Sequence, residues 1–187
     1  MIPIAVTGVA LVIEVAWLVA GGSIGAVTAA VVVAVAVLVL TRGRHRIVNG
    51  INRIVLGLLF AGSVADRFGL LGGPGAAGVS WGDYAAFVDD TRSLLPALLQ
   101  AATPGVAAAA TVVESVLALA LISGYRRRQT AAATAAVLGV FGLAMWTSLG
   151  FGAMASYAVP VLCGAAAVLA TENGVSSRKV EVLVSDS

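Results

Sequence analysis

Residues 105–128 read GVAAAATVVESVLALALISGYRRR, an apolar run interrupted once, by Glu114, and closed by Arg126, Arg127 and Arg128. About 20 apolar residues, at 1.5 Å of rise each, cross the hydrocarbon core of a bilayer as one helix. A carboxylate inside such a helix costs roughly 2.5–3.5 kcal/mol on insertion scales. Glu114 therefore needs a partner or a purpose, and the rest of the chain is read for both.

The setting is decided by composition. Of 187 residues, 60% are hydrophobic and only 11% are charged, where a soluble domain is about a quarter charged. No soluble core hides so much apolar surface, so the class is an all-α integral membrane protein. Arginine outnumbers lysine ten to one, a bias associated with GC-rich bacterial genomes. Basic residues are not interleaved with aromatics, which argues against nucleic acid as a partner. One cysteine, Cys163, and one histidine, His45, bound the chemistry. They allow no intrachain disulfide or C-x-x-C pair, no bis-histidine haem and no tetrahedral zinc site. No metal and no covalently bound cofactor is expected. The N-terminus, MIPIAVTG, lacks a basic n-region, and its apolar run continues to Leu40. A cleaved signal peptide is not expected.

Hydropathy and glycine punctuation divide the chain into six expected spans. Residues 2–40 are too long for one helix and break at Gly21-Gly22-Ser23-Ile24-Gly25, giving a hairpin of spans 2–20 and 24–41 (domain 1–41). A basic connection, TRGRHRIVNGINR, leads into a bundle at 54–171. Its spans are expected at 54–72, 105–123, 130–149 and 151–171, with Pro160 kinking the last. The long connection 73–104 is expected to carry one or two short interfacial helices, because Ser80 and Asp83 have capping-box spacing ahead of Tyr84, Phe87 and Val88. The tail, 172–187, is polar.

Six spans also give an orientation. Arg42, Arg44, Arg46, Arg53, Arg126, Arg127, Arg128, Arg178 and Lys179, nine of the eleven basic residues, then share the side of both termini. The positive-inside rule makes that side cytoplasmic, and the loop at 42–53 is a basic cytoplasmic loop. The expected location is the bacterial cytoplasmic membrane, with both termini inside and the arginines meeting anionic headgroups. Trp17, Trp81 and Trp146 fall at the opposite interface as anchors.

All four charges within the spans fall in the outer half. Glu114 lies roughly 13 Å from the outer end of its span and Arg67 roughly 7 Å from the outer end of its own. The reach of arginine bridges that difference. Asp66 is next to Arg67 but about 100° round the helix, and Glu14 lies in the first span. Ala107, Ala110, Thr111 and Ala118 flank Glu114 at helical spacing, and such small residues mark close helix approach rather than a lipid face. Thr147, Ser148, Tyr157 and Trp146 lie at similar depth. Two readings of the cluster Glu114, Arg67, Asp66, Glu14, Tyr157 and Trp146 stand side by side. Either it is an ion pair that fixes helix register, or it lines an outer cavity for a small polar or quinone-like ligand. Cys163 reads as a small packing residue, and His45 as solvated.

From Arg53 to Thr171 the chain resembles the DoxX family of small bacterial membrane proteins. The matching stretches are RIVLGLLFAGSVADRFG, WGDYAAFVDDTRSLLP and VVESVLALALISGYRRR, in that order. The resemblance implies a four-helix membrane bundle, here preceded by the N-terminal hairpin, and picks out Arg53, Arg67 and Glu114. It implies a link to sulfur and thiol redox systems or oxidative-stress complexes, with redox proteins as partners and quinone as a ligand; other copies of the chain are a separate expected partner, which the resemblance does not supply. The expected function is a non-catalytic or quinone-facing subunit of a membrane redox assembly, not an enzyme by itself. The rivals are a small-solute transporter using the outer charges, and a membrane scaffold that holds a cytosolic enzyme through its basic loops and tail.

Overall fold

The computed structural model describes residues 1–171, so the tail expected at 172–187 lies outside the described residues. These residues form helices and turns, with no strand among them. The helices are α1 (Ile2–Val19), α2 (Ala26–Leu40), α3 (Arg46–Arg67), α4 (Tyr84–Leu94), α5 (Thr103–Ser123), α6 (Arg127–Leu149), α7 (Phe151–Ser156) and α8 (Val159–Ala170). A 3-10 turn, Ala97–Ala102, leads into α5.

Four segments are long and apolar enough to cross a membrane: α1, α3, α5 with its leading 3-10 turn, and α6. The two other apolar helices, α2 and α8, have 15 and 12 residues, roughly 22 and 18 Å at 1.5 Å per residue. The distribution of side chains is that of a membrane-embedded bundle. Val9, Val12, Leu58, Val112, Val116, Leu119, Val140 and Leu143 are exposed, while Asn52, Arg67, Glu114 and Thr134 are buried. Water would reverse that arrangement, whereas lipid is the solvent that tolerates it.

Two helix pairs dominate the packing, α3 with α5 and α6 with α8. Both are antiparallel. Arg53 donates from Nη1 to the Leu121 carbonyl at 2.5 Å, while Arg67, fourteen residues on, meets Thr111. Along the other pair, Gly142 lies against Val159, and Arg128 Nε donates to the Ala170 carbonyl at 3.2 Å. Helix α8 is central, and α1 packs mainly on it, while α2 bridges α3 and α8. The core runs through Val35, Leu38, Phe60, Leu121, Val161 and Ala165. Gly57 lets α3 and α5 close up, since a Cβ there would stand 2.8 Å from Ile122 Cγ1 and 3.2 Å from the Ala118 carbonyl.

Several expected boundaries need correction. The basic connection is only Thr41–His45, and α3 starts at Arg46 rather than at residue 54. Its first two turns look polar in sequence, yet Asn49 and Asn52 are buried and bond to the carbonyls of Gly43 and Ala34. Those bonds satisfy the two amide nitrogens, although Asn49 Oδ1 has no partner, and they leave the apolar Ile47 and Ile51 outside. The connection expected at 73–104 gives up its last two residues to α5, which starts at Thr103. The sixth span is not one helix. It breaks into α7 and α8 at Tyr157–Ala158, where Ala158 has φ 50°. Pro160 causes more than a kink, because it has no N–H for the Ser156 carbonyl and suits only the first turn of a new helix. The α1–α2 break falls where expected, at Gly21 with φ 98°.

Candidate functional site

Arg67 ends α3 and Glu114 stands mid-way along α5. On α5 the residues Thr103, Ala107, Thr111, Glu114, Ala118 and Leu121 are all buried, the three-to-four spacing of one inward face. That face carries small residues around Glu114, so α3 approaches closely. The guanidinium of Arg67 then reaches back to the carboxylate. Its Nη2 lies 2.6 Å from both Oε1 and Oε2 of Glu114, a charge-assisted contact at the short end of the range. Nη2 also donates to Ser63 Oγ and Nη1 to Thr111 Oγ1, both at 3.1 Å. Thr111 passes its own proton to the Ala107 carbonyl at 2.9 Å. Arg67 is 2% exposed and Glu114 1%. The pair is buried, charge-neutral and hydrogen-bonded on most sides, and only Arg67 Nε lacks a partner.

The segment after α3 folds over this pair as a cap. Phe87 on α4 places its ring centroid 3.7 Å from the Arg67 guanidinium carbon, and Trp81 lies 5.3 Å from it. Both rings offer their electron-rich faces to the cation. Trp81 and Phe87 meet edge to face at 5.1 Å, and Tyr84 joins Phe87 at 5.9 Å. Asp66 ties the cap down. Its Oδ2 accepts from the backbone N–H groups of Ser80 and Trp81 at 2.8 and 3.2 Å, and its Oδ1 from Gly82 at 3.2 Å. Gly82 is needed there, with φ 73° and Pro74 packed directly against its α-carbon. Trp81 Nε1 donates to Asp90 Oδ2 at 3.2 Å, joining the loop to α4.

The structure therefore brings together Arg67 and Glu114 and sets Asp66 beside them with a different task. The hundred-degree turn between Asp66 and Arg67 sends one side chain to the loop and the other to the helix partner. The remaining cluster members are elsewhere. Trp146 and Tyr157 are 56% and 54% exposed, unlike the buried pair, and neither is among its hydrogen-bond partners. Thr147 bonds to its own helix at Leu143 and Ala144, and Ser148 to the Leu94 carbonyl. Glu14 is buried on α1, which packs against α8 and α2 rather than α5. The cap also corrects the capping-box reading, because Asp83 itself is the N-cap of α4 and accepts from Ala86 N at 2.7 Å. Phe87 and Trp81 as partners of Arg67 had no signal in the sequence beyond aromatic spacing.

The basic residues gather at the opposite end. Arg42, Arg44 and Arg126 are exposed there, and Arg127 and Arg128 start α6. His45 is exposed beside them. Cys163 faces α6 and donates to the Ala135 carbonyl at 3.3 Å, a packing position. Among the described residues no group of His, Cys, Asp and Glu side chains has a metal-binding arrangement. A groove of about 370 Å³ between α2 and α3 is lined by Val27, Ala30, Val31, Val55, Leu58 and Leu59. It carries no polar side chain and does not reach the ion pair. Compared with protein families, curated proteins and solved structures, the chain matches none.

Proposed function

We propose that this chain is a six-span protein of the bacterial cytoplasmic membrane and a non-catalytic subunit of a membrane redox assembly, in which Arg67 and Glu114 act as a helix lock. Both termini face the cytoplasm in this reading, and α2 and α8 complete the spans with the turns that flank them. The redox setting comes from the resemblance to DoxX between Arg53 and Thr171. One observation carries the choice between the rival readings. The two charges that a solute or quinone would need are bonded to each other at 2.6 Å and roofed by Phe87. A closed, neutral pair holds helices in register and offers no free charge to a passing ligand.

The alternation of helix direction supports six crossings. The α2–α3 turn meets the end of α8, where a Cβ on Gly43 would stand 3.0 Å from Val168. Arg128 meets the same end at Ala170, so Arg42, Arg44, Arg126, Arg127 and Arg128 share one side, as the positive-inside rule expects of a cytoplasmic face.

The test is affinity purification in mild detergent from native membranes, with flux assays on reconstituted protein beside it. The reading expects redox proteins to co-purify in stoichiometric amount and reconstituted vesicles to be tight to small solutes. Solute flux abolished by Arg67→Ala would establish the transporter instead. A soluble enzyme lost on deleting residues 172–187 would establish the scaffold. Bound quinone retained by the wild type and lost in Glu114→Gln would make the site a quinone pocket.

A further inference from the structure

The lock accounts for Arg67, Glu114 and Asp66, but not for Glu14. That residue is 2% exposed, and its Oε1 is buried with no hydrogen-bond partner. Among the described residues it has no ion-pair partner either. The elements packed on α1 offer none: α2 reads AVTAAVVVAVAVLVL and α8 reads VPVLCGAAAVLA, without a charge. The titratable side chains nearest in register are Cys163, turned to Ala135, and Tyr157, which is exposed. An ionised carboxylate buried among apolar helices with no counter-charge carries a heavy desolvation cost. Something small must neutralise it.

The register of α1 on α8 shows what else lies at that level. Thr7 sits directly against Gly164, where an added Cβ would stand 2.6 Å from Thr7 Oγ1. Glu14 is two turns farther along the same face of α1, roughly 10 Å. Gly8 lies against Val39, at the end of α2 whose following turn meets Val168. Helices α1 and α8 therefore run antiparallel. The same rise along α8 leads from Gly164 back to Tyr157, which is the α7–α8 break. There the backbone leaves the helix at Ala158, and Pro160 cannot bond the Ser156 carbonyl. The register thus sets an orphaned carboxyl and an interrupted backbone ladder at about the same level of the bundle. Irregular backbone at membrane depth is tolerated where protein buries it, and such breaks in spanning helices supply carbonyls to small cations.

We propose that Glu14 and the backbone of the α7–α8 break form an exchange site for a proton or a dehydrated monovalent cation. The burial of Glu14 excludes larger occupants, including a basic side chain from a neighbouring subunit. The site is independent of the Arg67–Glu114 lock, because it lies on other helices and uses other groups.

The experiment uses the full chain in liposomes. Infrared difference spectra between acid and alkaline pH, with Glu14→Gln as reference, read the protonated carboxyl band directly. Labelling by a hydrophobic carbodiimide, located by mass spectrometry, reads the same group chemically. The expected result is a carboxyl band and a carbodiimide adduct at Glu14, both lost in Glu14→Gln and both falling as pH rises. If sodium chloride at constant pH also removes them while choline chloride does not, the occupant is sodium. If sodium has no effect, it is a proton. A Glu14 signal that stays constant across pH and salt, or no carboxyl band at any pH, overturns the proposal.

Discussion

Glu114→Ala is the perturbation that tests the lock most severely. It leaves Arg67 charged, 2% exposed and held by Ser63, Thr111 and the Phe87 and Trp81 rings. At 2.6 Å and an effective dielectric near 20, the lost attraction is about 6 kcal/mol. The desolvation already borne by the pair offsets part of that, and breaking a buried pair by removing one partner costs ~3–5 kcal/mol. The ledger differs when both partners go. An Arg67→Met/Glu114→Leu double substitution removes the charges together and fills the space with apolar side chains, which is often neutral or stabilising. The account predicts a large coupling, with the double variant more stable than either Arg67→Met or Glu114→Leu by at least ~2 kcal/mol. The assay is reversible unfolding in mixed detergent–lipid micelles, followed by tryptophan fluorescence and circular dichroism. Additive single effects, with coupling under ~0.5 kcal/mol, would refute the reasoning.

Other expectations follow from the same geometry. Asp66→Ala releases three backbone N–H bonds, each worth ~0.5–1.5 kcal/mol and more when an anion accepts. Amide exchange at residues 80–82 should rise by more than tenfold while the α3–α5 amides stay protected; uniform protection throughout would contradict the cap. Phe87→Leu removes the ring over Arg67 and should cost about 1–2 kcal/mol, read as a fall in melting temperature that Phe87→Tyr does not produce. Gly57→Val drives a side chain into Ile122 and the Ala118 carbonyl, so it should destabilise by ~1–3 kcal/mol through overpacking. Gly62→Ala, in open space on the same helix, should be nearly neutral by the same melt.

Much of the lock was legible in the sequence because its logic is local and periodic. Glu114 stands on a face of small residues, and helix rise alone gave its depth relative to Arg67. The side chain with the longest reach and the opposite charge was then the natural partner. The cap was not legible. That Phe87 and Trp81 meet Arg67 depends on how a glycine-rich loop folds, and its fold depends on three long-range bonds to Asp66. The start of α3 was missed for another reason. Arg46–Arg53 looks like a polar loop to a hydropathy window. Yet Ile47, Ile51, Ile54 and Leu58 recur at spacings of four, three and four and are all exposed, while Asn49 and Asn52 are buried. That inverted periodicity was the signal available. In the sixth span, Pro160 was read as a bend within one helix. Its missing N–H, with Ala158 taking a left-handed conformation, ends one helix and starts another.

The central claim is that α3 and α5 are joined by direct contact between Arg67 and Glu114 inside the bilayer. Solid-state NMR on the chain in lipid, labelled with ¹⁵N in arginine and ¹³C in glutamate, measures that contact by dipolar dephasing. The account predicts strong dephasing of the Glu114 carboxyl carbon by the Arg67 guanidinium nitrogens, absent in Arg67→Met and retained in Glu14→Gln. A Glu114 carboxyl that shows no dephasing in the folded wild-type protein would contradict it.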